Sequence, residues 1–387
     1  MVDANTRGVL ELLKRSGNDT CADCGAKGMF LKHLKDIFLM KEIYNFSYFP
    51  GPEWASYNIG IFLCTRCAGI HRGMGTHISK IKHIRLDRWE DSQVQRMREI
   101  GNLVAKAKYE KRVPPCYRIP TDGDHDSLLE EWICAKYLRE EFSRPERQAF
   151  MTGHMEGFLM KRGKEDPKYY PRKFMLSEVD DTLKYYVDEK KDPKAVMKVS
   201  EINVSFSPVK MEKKNSFQIS YLKDGTTRHI YVYHDDPQTI VNWYNAIRCT
   251  KLHRLQIAFP TASQAELVNL LTKDFAHEGW LWKTGPRPTD AYKKRWFTLD
   301  RRKLMYHEEP LSAHPKGEIF LGNMMDGYSI RVGVPTGVRD QGFSFTLRTP
   351  SRWYYLSAEN SFDRDVWISV VTAVLEQPVS PQDNTSI

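Results

Sequence analysis

The sequence predicts a multidomain α+β chain, in which a metal-bound N-terminal domain precedes two copies of a strand-rich domain. Two Cys-x-x-Cys pairs stand near the N-terminus, Cys21 with Cys24 and Cys64 with Cys67. From about residue 155 the pattern changes to alternating strands, and the chain repeats itself. A length of 387 residues accommodates two or three domains of ordinary size.

The paired cysteines predict one zinc site. A two-residue gap lets both thiolates of a pair reach the same ion, and two such pairs complete a tetrahedral set of four. Four of only seven cysteines fall into these pairs, which argues against four unrelated reduced thiols. Four protein ligands leave no open coordination position, so the sequence predicts that Zn²⁺ is structural and not catalytic.

The repeat covers most of the C-terminal part of the chain. Its matching pieces lie 121 to 124 residues apart: Glu156–Lys161 and Glu278–Lys283, Arg172–Phe174 and Arg295–Phe297, Leu183–Tyr185 and Leu304–Tyr306, Trp243 and Trp367. Each copy is strand-rich and closes on a helix with one tryptophan, and Asp224-Gly225 marks a hairpin in the first copy. The offset is too long for a solenoid of short repeats and predicts a duplicated domain.

Composition limits the partners and the compartment. A formal net charge of +9 indicates an anionic partner, for which nucleic acid, anionic lipid and phosphorylated ligands all qualify. The sequence has no apolar run long enough to span a membrane, and its N-terminus lacks the apolar core of a signal peptide. Together with reduced Cys-x-x-Cys pairs, this predicts a protein of the cytosol or nucleus, and the localisation expected from the whole sequence is cytoplasmic.

Short motifs around the second cysteine pair form a specific pattern. Trp54-Ala-Ser56, Gly60, Gly69-Ile-His-Arg72 and Leu86-Asp-Arg-Trp89 stand in fixed register with the cysteines. This pattern resembles the zinc-finger GTPase-activating domain that acts on Arf-family GTPases. The resemblance implies a mostly helical domain around a small zinc-bound sheet, with no substrate of its own. It also implies that Arg72 is the catalytic arginine finger supplied in trans, and that Trp54 and Ile70 bind the partner.

The spacing of the two cysteine pairs departs from this pattern. Between Cys24 and Cys64 lie 39 residues, where the family carries about sixteen. The excess, at about 27–49, is apolar and basic, and it predicts an insert between the two halves of the zinc site. Long insertions in surface loops add little closure entropy, so the four ligands still meet.

Each strand-rich copy resembles a pleckstrin-homology (PH) domain, a β-sandwich or barrel capped by a C-terminal helix. The layout as a whole resembles the centaurin-alpha group, the Arf GTPase-activating proteins with dual PH domains. The predicted boundaries are 1–139 for the zinc-finger domain, 140–154 for a linker, 155–252 and 275–378 for the PH domains, and 379–387 for a tail.

In lipid-binding PH domains a lysine ends the first strand and Lys-x-Arg opens the second. The second copy matches this pattern fully, whereas the first has Tyr170 at the position of the second lysine. Clustered lysine and arginine side chains provide charge and bidentate phosphate geometry. The residues that the resemblance implies for phosphoinositide binding are Lys161, Arg172, Tyr185, Lys194, Lys283, Lys293, Arg295, Tyr306 and Lys316.

The sequence is compatible with three functions. The first is activation of an Arf GTPase of the plasma-membrane class, with recruitment to the inner face of that membrane by phosphatidylinositol trisphosphate and binding of soluble inositol polyphosphates. The second is a phosphoinositide-binding adaptor whose GTPase-activating domain is disabled by the insert. The third, a zinc-ribbon nucleic-acid binder, ranks last because the sequence shows no aromatic and basic platform for bases, and no nucleic-acid partner is expected.

Overall fold

A computed structural model describes residues 3–27, 52–144, 148–287 and 290–380. These residues divide into two compact units, one formed by 1–152 with 236–245 and the other by 153–235 with 246–387. Apart from Lys27, the predicted insert lies outside the described residues. Among the residues described, no helix combines the length and the apolar character needed to cross a membrane.

The first unit is mostly helical and contains one small sheet, as predicted. The sheet is antiparallel, with strand order β2-β1-β3. The elements of the first unit are α1 (Ala4–Leu13), β1 (Trp54–Ser56), β2 (Ile61–Leu63), α2 (Thr65–Gly73), β3 (Ile81–His83), α3 (Asp91–Glu99), α4 (Gly101–Tyr109) and α5 (Asp126–Ile133). A single π-helical turn, Cys134–Leu138, continues α5. Helix α1 begins at Asp3, whose carboxylate accepts a hydrogen bond from the Thr6 backbone amide.

The core of the first unit joins the first helix to the sheet. Val9 and Leu12 of α1 are buried against Phe62 of β2 and against Val94 and Met97 of α3. These apolar residues recur at helical spacing on α1 and α3, so each helix turns one face toward the sheet. The sheet is thereby covered on this side, and α2 begins directly after β2.

The second unit contains two seven-stranded antiparallel sheets with the same topology. The first has order β7-β6-β5-β4-β10-β9-β8 and the second β14-β13-β12-β11-β17-β16-β15. The strands of the first copy are β4 (His154–Arg162), β5 (Tyr169–Ser177), β6 (Thr182–Tyr186), β7 (Ala195–Lys198), β8 (Asn203–Phe206), β9 (Ser216–Lys223) and β10 (Thr226–Tyr233). Those of the second are β11 (His277–Lys283), β12 (Lys293–Asp300), β13 (Lys303–His307), β14 (Gly317–Phe320), β15 (Ser329–Val332), β16 (Ser344–Arg348) and β17 (Trp353–Ser357).

The remaining helices are α6 (Pro208–Met211), α7 (Pro237–Ala258), α8 (Gln264–Asn269) and α9 (Ser361–Leu375). Of these, α7 and α9 correspond to each other in the two copies. Helices α7 and α9 carry the two repeated tryptophans, both buried. In the second copy, Trp367 packs against inward-facing strand residues that include Phe297 and Leu281. Because residues two apart in a strand share a face, Lys283 lies on the same face as Leu281, and Lys293 and Arg295 lie on the same face as Phe297, at the strand ends beyond this core.

Polar contacts join the two PH copies within the second unit. The Lys210 ammonium lies 2.6 Å from a carboxylate oxygen of Glu278. The backbone amide of Phe206 donates to the Asp274 carboxylate at 2.7 Å. The backbone amide of His229 donates to the Ala313 carbonyl at 2.8 Å. Because such bonds require specific geometry, they fix the register of one copy on the other.

A buried lysine stabilises the first unit. The Lys136 ammonium lies 2.8 Å from Glu110 and 3.0 Å from Asp23, and its side chain is 1% exposed. Burial opposes ionisation of Asp23, but the ammonium of Lys136 and the bond from His71 outweigh it and lower the pKa of this carboxyl. Removing one partner of a buried ion pair leaves the other charge buried and unpaired, which destabilises the fold. A surface ion pair contributes little to stability.

We therefore expect Lys136→Met to lower the free energy of unfolding of the first unit by about 3–5 kcal/mol. Lys106→Met is the matched control, because Lys106 is 67% exposed and lies 3.9 Å from the same Glu110; its expected cost is below about 1 kcal/mol. Urea denaturation of both variants measures the difference. Equal losses in the two would show that the buried pair does not stabilise the domain.

Candidate functional site

The four predicted zinc ligands lie together in the first unit. Cys21 and Cys24 stand in the turns after α1, Cys64 caps the N-terminus of α2, and Cys67 lies in its first turn. Their Sγ atoms all lie within 4.8 Å of one another, and those of Cys24 and Cys64 are 3.7 Å apart. A tetrahedral ion with Zn–S bonds of about 2.3 Å requires sulfur pairs about 3.8 Å apart. The cluster therefore fits a single ion of this size.

Arg72 lies in the last turn of α2, five residues after the last cysteine of the cluster. Its side chain is exposed, and its Cζ atom lies 4.1 Å from the centroid of the Trp54 ring. The ring of Trp54 in turn packs edge-on against His83, with centroids 4.7 Å apart. A cation over an aromatic face is stabilised by about 0.5–1 kcal/mol at exposed sites. The stack holds the guanidinium in one direction while leaving its N–H groups accessible.

A buried polar network anchors the helix that carries Arg72. The ring of His71, which is fully buried, bonds to Asp23 Oδ2 at 3.1 Å and to Ser79 Oγ at 2.8 Å. Tyr137 donates to the other Asp23 oxygen at 3.0 Å. Asp23 stands between Cys21 and Cys24, so one carboxylate joins the first cysteine pair to α2. Because every member of this network has a partner, it fixes the orientation of the helix.

One face of α2 is open. A cavity of about 570 Å³ borders this face, and Ile70 and Met74 contribute apolar side chains to it. Gly69 and Gly73 also line it, and a Cβ atom added at either position would meet no atom within 4 Å. A partner chain can therefore approach the helix backbone here. The structure places Ile70 beside this cavity and Trp54 beneath Arg72, so the two predicted partner-binding residues flank the helix turn that carries the arginine.

All five residues predicted for the second phosphoinositide site surround one cavity of about 400 Å³. They are Lys283, Lys293, Arg295, Tyr306 and Lys316. Lys283 is only 9% exposed; its ammonium donates to the Thr284 carbonyl at 2.8 Å and lies 4.9 Å from the Tyr306 ring centroid. The ammonium of Lys316 lies 2.8 Å from the Glu308 carboxylate. The arrangement presents several cationic donors to one concave space.

The first copy repeats this geometry around Lys161. Its ammonium donates to the Arg162 carbonyl at 2.9 Å and lies 5.2 Å from the Tyr185 ring centroid. Arg172 lies with its Cζ 5.3 Å from the ring of Tyr170, so the residue that replaces lysine supports Arg172 instead of adding a charge. Lys194 is exposed, and its backbone amide donates to the Tyr185 carbonyl at 2.9 Å.

Two arginines that were not predicted lie beside these lysines. Arg228 of β10 and Arg352, directly before β17, are separated by 124 residues, the same offset as Trp243 and Trp367. Burial, then Arg228 and Arg172, lower the pKa of Lys161 to about 8. Burial, then Arg352 and Arg295, lower the pKa of Lys283 to about 8. The repeat offset was the sequence signal for this pair, because it places an arginine at the same position of both copies.

The comparisons with known proteins agree with this architecture. Residues 49–146 match the ArfGap family, described as "Putative GTPase activating protein for Arf", and residues 153–251 and 275–376 match the PH domain family. The fold and the cysteine cluster thus define a zinc-finger GTPase-activating domain followed by two PH domains. Such a chain is a regulator of an Arf GTPase, and its PH domains indicate phosphoinositide binding and peripheral association with membranes.

Relatives extend the match to the whole chain. Arf-GAP with dual PH domain-containing protein 2 of Rattus norvegicus is 39% identical over 386 residues, which cover 98% of this chain and 96% of that one. The Homo sapiens protein of the same name is 39% identical over 98% of this chain and 95% of its own. Stromal membrane-associated protein 1 of Mus musculus matches 34% of this chain and 24% of its own length at 38% identity. This chain belongs to the family of Arf GTPase-activating proteins with dual PH domains.

The lowered lysine pKa values predict a pH dependence of anion binding. Below pH 8 both pocket lysines are charged, and above it they lose their protons, whereas an ordinary lysine stays charged to about pH 10.4. A bound polyphosphate favours the charged forms, so binding should take up protons near pH 8 and weaken between pH 7 and 9. Calorimetry with inositol 1,3,4,5-tetrakisphosphate, in buffers of different ionisation enthalpy, measures this uptake.

Lys283→Arg provides the control, because arginine stays charged throughout this range and should make binding at the second pocket independent of pH. Proton uptake that is zero in the parent chain, or equal in the parent and this variant, would contradict the assignment of the titrating group.

Proposed function

We propose that this chain stimulates GTP hydrolysis by an Arf GTPase of the plasma-membrane class, with Arg72 acting as an arginine finger in trans. The observation that carries the proposal is the exposed guanidinium stacked on Trp54, on a helix anchored to the cysteine cluster. A side chain that must enter another protein's active site docks more readily when it is already oriented, because less entropy is lost on docking. Arg72 meets this requirement within the described first unit.

The chemistry of the reaction explains why an arginine is needed. During hydrolysis, charge develops on oxygens around the transferring γ-phosphoryl group, and stabilising that charge is the main catalytic task. The GTPase supplies the nucleotide, Mg²⁺ and the attacking water. Arg72 supplies a planar group with several N–H donors, which matches phosphate oxygens better than a point charge does.

A structural Zn²⁺ held by Cys21, Cys24, Cys64 and Cys67 supports this placement. Four thiolates at these separations suit zinc, and a closed set of four protein ligands contributes folding free energy and no reactive position. The GTPase would then dock on the open face of α2, where Ile70 and the bare backbone at Gly69 and Gly73 receive it. Trp54 would orient Arg72 and contact the partner at the edge of its ring.

The two basic pockets would recruit the chain to the inner face of the plasma membrane by binding phosphatidylinositol trisphosphate, and would also bind soluble inositol polyphosphates. Each Lys or Arg near an anionic leaflet contributes about 1 kcal/mol. Two pockets on one chain add avidity, because binding at the first raises the effective concentration at the second. The cavity around Lys283, Lys293 and Arg295 supports this part of the proposal.

Arg72→Lys tests the catalytic role. The variant keeps the positive charge but loses the planar guanidinium with its several N–H donors. We therefore expect stimulation of GTP hydrolysis to fall by about 10³-fold or more, the range attributed to arginine fingers. Single-turnover hydrolysis by an Arf protein on vesicles containing phosphatidylinositol trisphosphate measures it. Arg98→Lys is the control, because Arg98 lies on α3, bonds to Gln95 and should change the rate less than about twofold.

Zinc content, vesicle binding and the rate of GTP hydrolysis together distinguish the arginine-finger function from the adaptor function. Zinc content and vesicle binding should be unchanged in Arg72→Lys, since neither depends on this side chain. A lysine variant as active as the parent would show that Arg72 is not the finger. An inactive parent whose activity returns when residues 27–49 are deleted would favour the adaptor function for this form of the chain.

A further inference from the structure

The segment between β13 and β14 of the second PH copy lies against the first copy. The Leu311 carbonyl accepts a hydrogen bond from Arg162 Nη1 at 3.3 Å. The Ser312 carbonyl accepts one from the Tyr231 hydroxyl at 3.0 Å, and the Ala313 carbonyl accepts one from the His229 amide at 2.8 Å. Three consecutive carbonyls are thus held by the first copy, so the position of the next residue, His314, is fixed relative to β10.

Arg228 of β10 has an unsatisfied donor. Its side chain is 9% exposed, and its Nη1 atom has no hydrogen-bond partner among the described residues. A buried donor without an acceptor destabilises a folded protein, and the penalty is larger for a charged group. Arg228 lies close enough to Lys161 and Tyr185 to influence the pKa of both. A phosphate oxygen of a ligand in the first pocket is an acceptor of the kind that this donor lacks.

His314 brings an imidazole ring to this place from the second copy. It is partly buried, and its ring hydrogen-bonds to the backbone of Thr227, next to Arg228. Partial burial and the neighbouring charges of Arg228 and Lys164 lower the pKa of His314. Arg228 and Lys164 repel one another until an anion lies between them, and a bound anion also favours the protonated form of His314.

Two acidic side chains of this region already have partners. Glu318 accepts a hydrogen bond from the Thr227 amide at 2.7 Å and lies 3.3 Å from the Lys303 ammonium. Glu165 lies 3.9 Å from the Lys164 ammonium and is largely exposed. Neither carboxylate bonds to Arg228 Nη1. The excess of positive charge around Arg228 therefore persists in the folded chain.

We propose that the phosphate site of the first PH copy is composite, with Arg228 supplying the free donor and His314 of the second copy completing the wall. The ligand class is a polyphosphorylated inositol, either free or as a lipid headgroup, so the proposal rests on the headgroup binding proposed above. The consequence is that the first pocket is complete only while the two copies are docked. A ligand bound there also stabilises their contact, since it binds residues of both.

The test isolates the first pocket in the full chain. Lys293→Ala with Arg295→Ala disables the second pocket and serves as the background for all variants. Calorimetry with inositol 1,3,4,5-tetrakisphosphate then reports the first pocket alone. We expect Arg228→Ala to weaken binding about tenfold or more, because a charge-assisted hydrogen bond is lost, and His314→Ala to weaken it about threefold to tenfold.

Lys198→Ala is the matched control, because Lys198 is 66% exposed on β7 of the first copy and pairs with Glu201; its expected effect is below about twofold. Thermal denaturation without ligand verifies folding, and Arg228→Gln replaces the alanine variant if that one is unstable. Vesicles with and without phosphatidylinositol trisphosphate form a second arm. Loss in both arms supports a composite site for the lipid headgroup, and loss in the soluble arm alone supports one for free inositol phosphates.

The outcomes that overturn the proposal are distinct from those that overturn headgroup binding. Absence of binding in the background would overturn the headgroup function of the first copy, and the composite site with it. Binding that His314→Ala leaves unchanged, while Arg172→Ala weakens it, would overturn the composite site alone and leave the first pocket as an ordinary phosphate site.

Discussion

The bond between Asp23 and His71 is the contact on which the first unit depends. Asp23 lies between two cysteines of the cluster, and His71 immediately precedes the exposed Arg72. Because both side chains are fully buried, neither can exchange its partner for water, and the pair keeps α2 in one orientation. The direction of the Arg72 guanidinium follows from this contact and from the Trp54 ring beneath it. The residue that anchors α2, His71, is therefore adjacent to the residue proposed to act in catalysis, Arg72.

The second unit uses a different principle, in which like charges are held close together. Lys161 and Arg228 in one copy, and Lys283 and Arg352 in the other, are kept near each other by barrel strands whose apolar residues form the core. This proximity destabilises the unbound protein, because each charge is partly desolvated beside another. A polyanion bound at either pocket would remove this repulsion, so the arrangement favours a polyphosphorylated ligand. The same arrangement appears twice because the domain is duplicated.

Much of the architecture could be predicted from local sequence patterns. The Cys-x-x-Cys spacing predicts a cysteine cluster, and the repeat offset predicts two barrels of identical strand order, both confirmed by the structure. The Asp224-Gly225 turn was also predicted correctly, since both residues have positive φ and connect β9 to β10. Arg228, His314 and the Asp23–His71 bond were missed. The Asp23–His71 bond and the position of His314 depend on contacts between residues distant in sequence, for which no local motif exists. Arg228 could have been found from the repeat offset that it shares with Arg352. Roles of the predicted site residues stay predictions until they are tested.

Removal of the metal tests whether the cysteine cluster holds Arg72 in place. Metal analysis of the purified chain should give about one zinc per chain. Titration with a chelator, followed by parallel assays of stimulated GTP hydrolysis by an Arf protein and of inositol tetrakisphosphate binding, separates the two units. We expect hydrolysis to be lost together with the structure of the first unit, while inositol binding by the second unit persists. A zinc-free chain that is folded and stimulates hydrolysis at the parent rate would contradict this expectation.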